Sequence, residues 1–116
     1  MKALLGALTL LPLATAAAER SGEEVYNCTC IVCHGSGLLH APKIGDAHRW
    51  KKLVAEGLDE LVPMALKGVR LMPPKGGNPN LTDMDVARAV VFMANQGGRP
   101  LHRPGPDPGG DLANQS

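Results

Sequence analysis

Cys30-Ile31-Val32-Cys33-His34 is a CxxCH run, and with Cys28 it puts every cysteine of this 116-residue chain inside seven residues. Four chemistries draw on sulfur and imidazole at such spacing. A redox dithiol uses CxxC, but after a strand and within a βαβ unit, and the pattern here offers neither. Zinc takes sulfur and nitrogen tetrahedrally. Cys33 and His34 are adjacent, however, and would have to bend back onto one ion, and no second ligand pair follows. A structural disulfide leaves the histidine without a purpose. Covalent attachment of haem uses the whole motif. Two thiols one helical turn apart reach two vinyl groups along one porphyrin edge, and the next residue sets its imidazole under the ring as an iron ligand. Cys28, two residues before Cys30, faces another side of a helix and is expected not to attach. It is left as a buried thiol or as an exposed one that links two copies of an otherwise monomeric protein.

A haem held by His34 leaves one axial position. The candidates are Met64, Met72, Met84, Met93, His40, His48 and His102. Methionine on a helix is first a gap-filler of cores, which covers Met64, Met84 and Met93. Met72 lies in "LMPPKGG", where Pro73 and Pro74 limit how far the loop can swing. A weak thioether ligand needs such rigid presentation. The expected pair of axial ligands is therefore His34 and Met72, with His40 and His48 as loop and surface residues.

These side chains need elements to hold them, and helix punctuation recurs along the chain. Ser21 with Glu24 reads as a capping box, opening a helix that Gly35 closes. Asp46 is an N-cap for a second helix bearing Trp50, Leu53 and Val54 on one face, stopped by Gly57. Asp59 is expected to cap a third, with Pro63 in its first turn and Gly68 as its stop. Thr82 caps a fourth, where Val86, Ala89, Val90 and Met93 recur at helical spacing, and Gly97-Gly98 ends it. The expected fold is all-α: about four helices around one covalent haem, with long loops over Gly35 to Asp46 and Leu71 to Asn80.

The ends of the chain read differently. Lys2, the apolar run Ala3 to Leu13 and the small residues Ala16-Ala17-Ala18 make residues 1–18 a signal peptide cleaved after Ala18. The run is shorter than the roughly 20 apolar residues of a membrane span. The expected location is the periplasm, with no stable membrane insertion. Residues 19–98 form the domain, and 99–116, rich in proline and glycine, a tail expected to be disordered. The processed chain carries 11 basic and 11 acidic residues, so its charge gives no reason to expect nucleic acid or an anionic membrane as partner. Tyr26, Trp50 and Phe92 are its only aromatics. A domain this small often needs a disulfide, metal or cofactor, and a haem would supply the missing apolar bulk.

"CIVCH", "GLLHAPKIGD", "RLMPPKGG" and "LTDMDVARAVVFM" together resemble a class I cytochrome c, most nearly the bacterial cytochrome c-five group. The resemblance spans about Glu23 to Asn95. It implies His/Met axial ligation, a carbonyl of Pro42 that receives the His34 N–H and orients the ring, and a Trp50 packed near the haem propionates. A later cysteine pair common in that group is absent here. His/Met ligation suits single-electron exchange, and methionine raises the potential. No acid–base pair, nucleophile or open metal site stands out, so the expected role is an electron carrier between redox proteins and not an enzyme. Two rivals are a haem-bearing subunit of a periplasmic dehydrogenase and, were Met72 labile, a haem sensor or peroxidase. Residues 43–75 hold seven Lys/Arg against four Asp/Glu, a basic face suited to acidic partners or an ordinary solvated one.

Overall fold

Ser21 begins the folded part. Its hydroxyl accepts from the Glu24 backbone N–H at 3.1 Å, and its own N–H donates to the Glu24 carboxylate at 2.9 Å. The computed structural model describes residues 3–12 and 19–97. Residues 3–12 are exposed and carry no helix or strand. The rest of the signal-peptide segment and the expected tail after Gly97 lie outside the described residues.

From the capping box the chain runs through α1 (Gly22–Val25), a π-helical stretch (Tyr26–Cys30) and α2 (Ile31–His34) as one helical rod. Single π turns inside α-helices gather at functional sites, and this one carries Cys28, Thr29 and Cys30. A 3₁₀ turn (Leu38–His40) leads to α3 (Ala47–Glu56), then α4 (Leu58–Lys67), a second 3₁₀ turn (Pro74–Gly77) and α5 (Asp83–Gln96). The described residues thus form a small all-α fold of four helical rods. Their one β feature is an isolated bridge between Val69 and Met72.

Asp46 caps α3 as expected, accepting from the Arg49 N–H at 3.2 Å. Thr82 caps α5, and Asp85 completes a second capping box there. Two expectations for α4 need correction. Asp59 is not its cap: Gly57, at φ 87°, ψ 161°, is both the C-cap of α3 and the N-cap of α4. One glycine turns the chain, so α4 starts before Asp59, which sits with Glu60 in the first turn and faces the positive end of the dipole. Pro63 consequently falls past the first turn, inside the helix. There its ring forgoes one backbone bond, and the helix continues because Leu61 and Ala65 are buried.

Two joined apolar clusters make the core. One groups Val25, Leu61, Ala65, Leu81, Val86, Ala89 and Val90. The other groups Tyr26, Trp50, Val54, Met93 and Ala94. Cys30 and Leu53 touch both. At the crossing of α1 and α5 the backbones meet directly: a Cβ on Gly22 would lie 2.2 Å from the Arg88 carbonyl oxygen. Only glycine allows that approach.

Charge is buried beside this crossing. Arg88 and Asp85 are each about 5% exposed and pair at 3.4 Å, Arg88 also pairs with Glu19 at 2.8 Å, and Arg20 with Asp85 at 2.8 Å. Arg88 further donates to the Arg20 carbonyl at 3.2 Å. The cluster fastens residues 19–20 to α5. Removing one member of a buried pair strands the other. Arg88→Ala should therefore cost about 2–3 kcal/mol of unfolding free energy, toward the low end because Arg20 still serves Asp85. Urea unfolding checks this, and a negligible shift in the midpoint would mean that water serves these charges instead.

Candidate metal centre

His34 ends α2 and is held at both its side chain and its backbone. Its Nδ1–H donates to the Pro42 carbonyl at 2.7 Å, and its own carbonyl accepts from the Ile44 N–H at 2.7 Å. The loop between α2 and α3 is thereby folded back beneath the imidazole. Burial holds the His34 pKa below the ordinary value; the Pro42 carbonyl pulls it up, and the nearby Arg49 guanidinium pushes it down again. The ring is therefore neutral near pH 7, the form that binds metal. With Nδ1 committed, Nε2 is the nitrogen offered, a usual outer-shell arrangement for a metal-binding histidine.

Trp50, buried on α3, donates from Nε1 to the Lys43 carbonyl at 2.9 Å. Its ring lies 6.2 Å from that of His34, tilted by 45°. Arg49, which the sequence did not single out, donates to the His40 carbonyl at 2.9 Å and ties the 3₁₀ turn to α3. His34, Pro42 and Trp50 thus form one assembly. The family resemblance implied the places of Pro42 and Trp50; the spacing of the residues alone did not.

None of the three cysteines is in a disulfide. Cys28 is exposed, while Cys30 and Cys33 are half-buried. Burial lifts the Cys30 thiol to about 11, against a smaller lowering by its backbone. Among the described residues no three His, Cys, Asp or Glu side chains gather as a ligand set.

Met72 is half-buried and packs on the cluster of Val25 and Leu61, whose fringe also holds Cys30. Its N–H donates to the Val69 carbonyl at 2.9 Å and its carbonyl accepts from Val69 at 3.0 Å. Gly68 lies beside this turn at φ 84°, where a Cβ would meet the Met72 carbonyl at 2.7 Å. A groove of about 410 Å³ follows the segment Lys67 to Pro74. Of the other candidates, Met93 is 4% exposed in the core, Met64 is on the core fringe and Met84 is 39% exposed. His40 and His48 are exposed, and His102 lies outside the described residues.

The residues fit a haem by their chemistry. A neutral imidazole presents Nε2, two free thiols sit one helical turn apart, and a thioether stands in a pinned turn. Apolar side chains next to them are open to solvent: Ile31, Val32, Leu38 and Leu39 around the histidine, and Leu71, 59% exposed, beside Met72.

Comparison with known proteins gives the same assignment. The family model described as cytochrome c oxidase, cbb3-type, subunit III matches residues 17–93. Cytochrome c-555 of Chlorobaculum thiosulfatiphilum is 40% identical over 80 residues, spanning 66% of this chain and 93% of that protein. Cytochrome c5 of Azotobacter vinelandii is 42% identical over 77 residues, spanning 65% of this chain and 93% of that protein. A chain in the crystal structure of an electron transfer complex of nitrite reductase with cytochrome c superposes with a TM-score of 0.64. It is 37% identical, and the match covers 70% of this chain and 99% of that one. The chain belongs to the class I bacterial cytochromes c, the family these relatives share. It is accordingly an electron-transfer protein and not an enzyme, and its family is one that carries haem c.

Proposed function

We propose that this chain is an exported monohaem electron carrier, with haem attached through Cys30 and Cys33 and its iron held between His34 Nε2 and the Met72 sulfur. The observation that carries the reading is the 2.7 Å bond from His34 Nδ1 to the Pro42 carbonyl, which fixes tautomer and ring plane for a metal at the other nitrogen. When bound, the haem iron supplies the one-electron couple. Cys30 and Cys33 would hold it through thioether bonds, each S–H added across a vinyl group with nothing released. Met72, in its pinned turn, favours ferrous iron. Trp50, bonded to the Lys43 carbonyl at 2.9 Å, would hold the loop that carries Pro42 and pack near the haem propionates. With His34 and Met72 both serving as its ligands, the iron would have no site left for substrate, which suits exchange by brief docking. Residues 1–18 would direct the chain to the periplasm and be cut away after Ala18.

The partners on this reading are redox proteins. One matched structure is a complex of a cytochrome c with nitrite reductase, so a reductase as electron acceptor is the partner class we infer. The basic segment 43–75, whose Lys43, Arg49, Lys51 and Lys52 are exposed, would face it. Electron-transfer rates that fall with added salt would support this, and rates indifferent to salt would remove charge from the docking.

A thiol count tests the attachment. The protein matured in a haem-c-producing periplasm should react with one maleimide per chain, at exposed Cys28, and keep its haem through acid–acetone extraction. Three reactive thiols and an extractable haem would overturn covalent attachment.

A further inference from the structure

Met72 depends on a loop, Pro73 to Leu81, whose own contacts differ in what they can fix. Lys75 Nζ reaches the Leu81 carbonyl at 2.7 Å and Asp83 at 3.3 Å. Both ends of that link lie on the loop and the helix it leads into. It shapes the loop without tying it to the helix that bears the cysteines. Asn78 does that. Its Nδ2–H donates to Thr29 Oγ1 at 3.1 Å, across 49 residues of sequence. Thr29 is in the π-helical stretch, immediately before Cys30. The Thr29 methyl lies against Gly76, where a Cβ would come within 3.2 Å of it. The other end of the Asn78 amide stays with the loop: Oδ1 accepts from the Asn80 N–H at 3.1 Å. One side chain thus braces the loop internally and hooks it to the rod that carries Cys30, Cys33 and His34.

From this geometry we propose that Thr29 and Asn78 are positioning residues for Met72. Their hydrogen bond sets how firmly the methionine is presented and how readily a competing ligand replaces it. The inference rests on the reading of Met72 as an axial ligand. Neither residue needs to touch the haem. Their effect is on the freedom of the loop that begins one residue after Met72.

The test is imidazole titration of the ferric holoprotein, followed by the weak red charge-transfer band of iron–methionine sulfur. Thr29→Val keeps the side-chain shape and removes the acceptor. Asn78→Ala removes the donor, and with it the Oδ1 that serves Asn80, so it carries the test if Thr29→Val yields no holoprotein. Each should bind imidazole about 3–10-fold more tightly than the wild type, the worth of one partly buried hydrogen bond. The double variant should add nothing further. Thr29→Ser, which retains the hydroxyl, should bind like the wild type. Arg88→Ala, which weakens the fold through the α5 ion cluster, should not move imidazole affinity, so loss of stability alone cannot mimic the effect. Wild-type affinity in both Thr29→Val and Asn78→Ala, with the band present, would overturn the clamp and leave the ligand reading standing. A wild-type protein without the band would overturn both, before any variant is compared.

Discussion

Met72→Ala, matured with its haem, will lack the weak red charge-transfer band of the ferric protein, and its reduction potential will fall by on the order of 100 mV or more. Axial ligands move haem potentials across about 0.8 V, and a thioether favours the ferrous state that water or an adventitious ligand would not. At 59 mV per tenfold for one electron, 100 mV means about 50-fold less preference for ferrous iron. The structure separates Met72 from its competitors by how each is held. Met93 is enclosed with Trp50 and Ala94 in the core, so freeing its sulfur would open the centre of the protein. Met84 is open at the start of α5. Met64 fills the edge of the other cluster from α4. Only Met72 stands in a turn closed at both backbone groups by Val69, with two prolines after it. Met64→Ala and Met84→Ala should therefore keep the band and most of the potential. A band that survives in Met72→Ala and vanishes in Met64→Ala would move the ligand to α4.

What the sequence revealed and what it hid divide by range. Ser21, Asp46 and Thr82 announced their helices because a cap acts on backbone three residues away. The CxxCH run was legible because its chemistry lies within five residues. The start of α4 differs from expectation because Asp59 has the side chain of a cap, while Gly57 can hold φ at 87°, a left-handed value that glycine adopts without penalty. The π-helical stretch left no trace in the pattern of apolar residues, since it shifts one turn and not the periodicity. Nothing in the local sequence marks Asp85 and Arg88 as buried. Their burial follows from Glu19 and Arg20 arriving from 69 and 65 residues away. The hook between Thr29 and Asn78 was hidden for the same reason: neither residue signals a partner until the chain is folded.

Replacing both proposed attachment thiols, Cys30→Ala with Cys33→Ala, should leave a chain that releases its haem to acid–acetone and unfolds without a cooperative transition. The core explains why the loss would reach so far. Its members are mostly valine and alanine, and the largest side chains fully removed from water are Val25 and Val91. A small domain has about 5–15 kcal/mol of net stability to lose at most, and one this poor in bulk sits toward the low end. Cys30 is where the two apolar clusters meet, so a haem anchored there would add apolar bulk to both, in a domain that leaves Ile31, Leu38 and Leu71 facing water. His34→Ala should behave differently. The thioethers would hold the haem, but the iron would lose its proximal nitrogen and the loop around Pro42 its 2.7 Å bond, giving a coloured protein with altered spectrum and lowered stability. Cys28→Ala, at an exposed position of the π-helical stretch, should change stability by less than about 0.5 kcal/mol. Circular dichroism melts of the three variants separate these outcomes. A double cysteine variant that melts like the wild type would show that valines and alanines hold the fold unaided, and the haem would then be a passenger on a finished core.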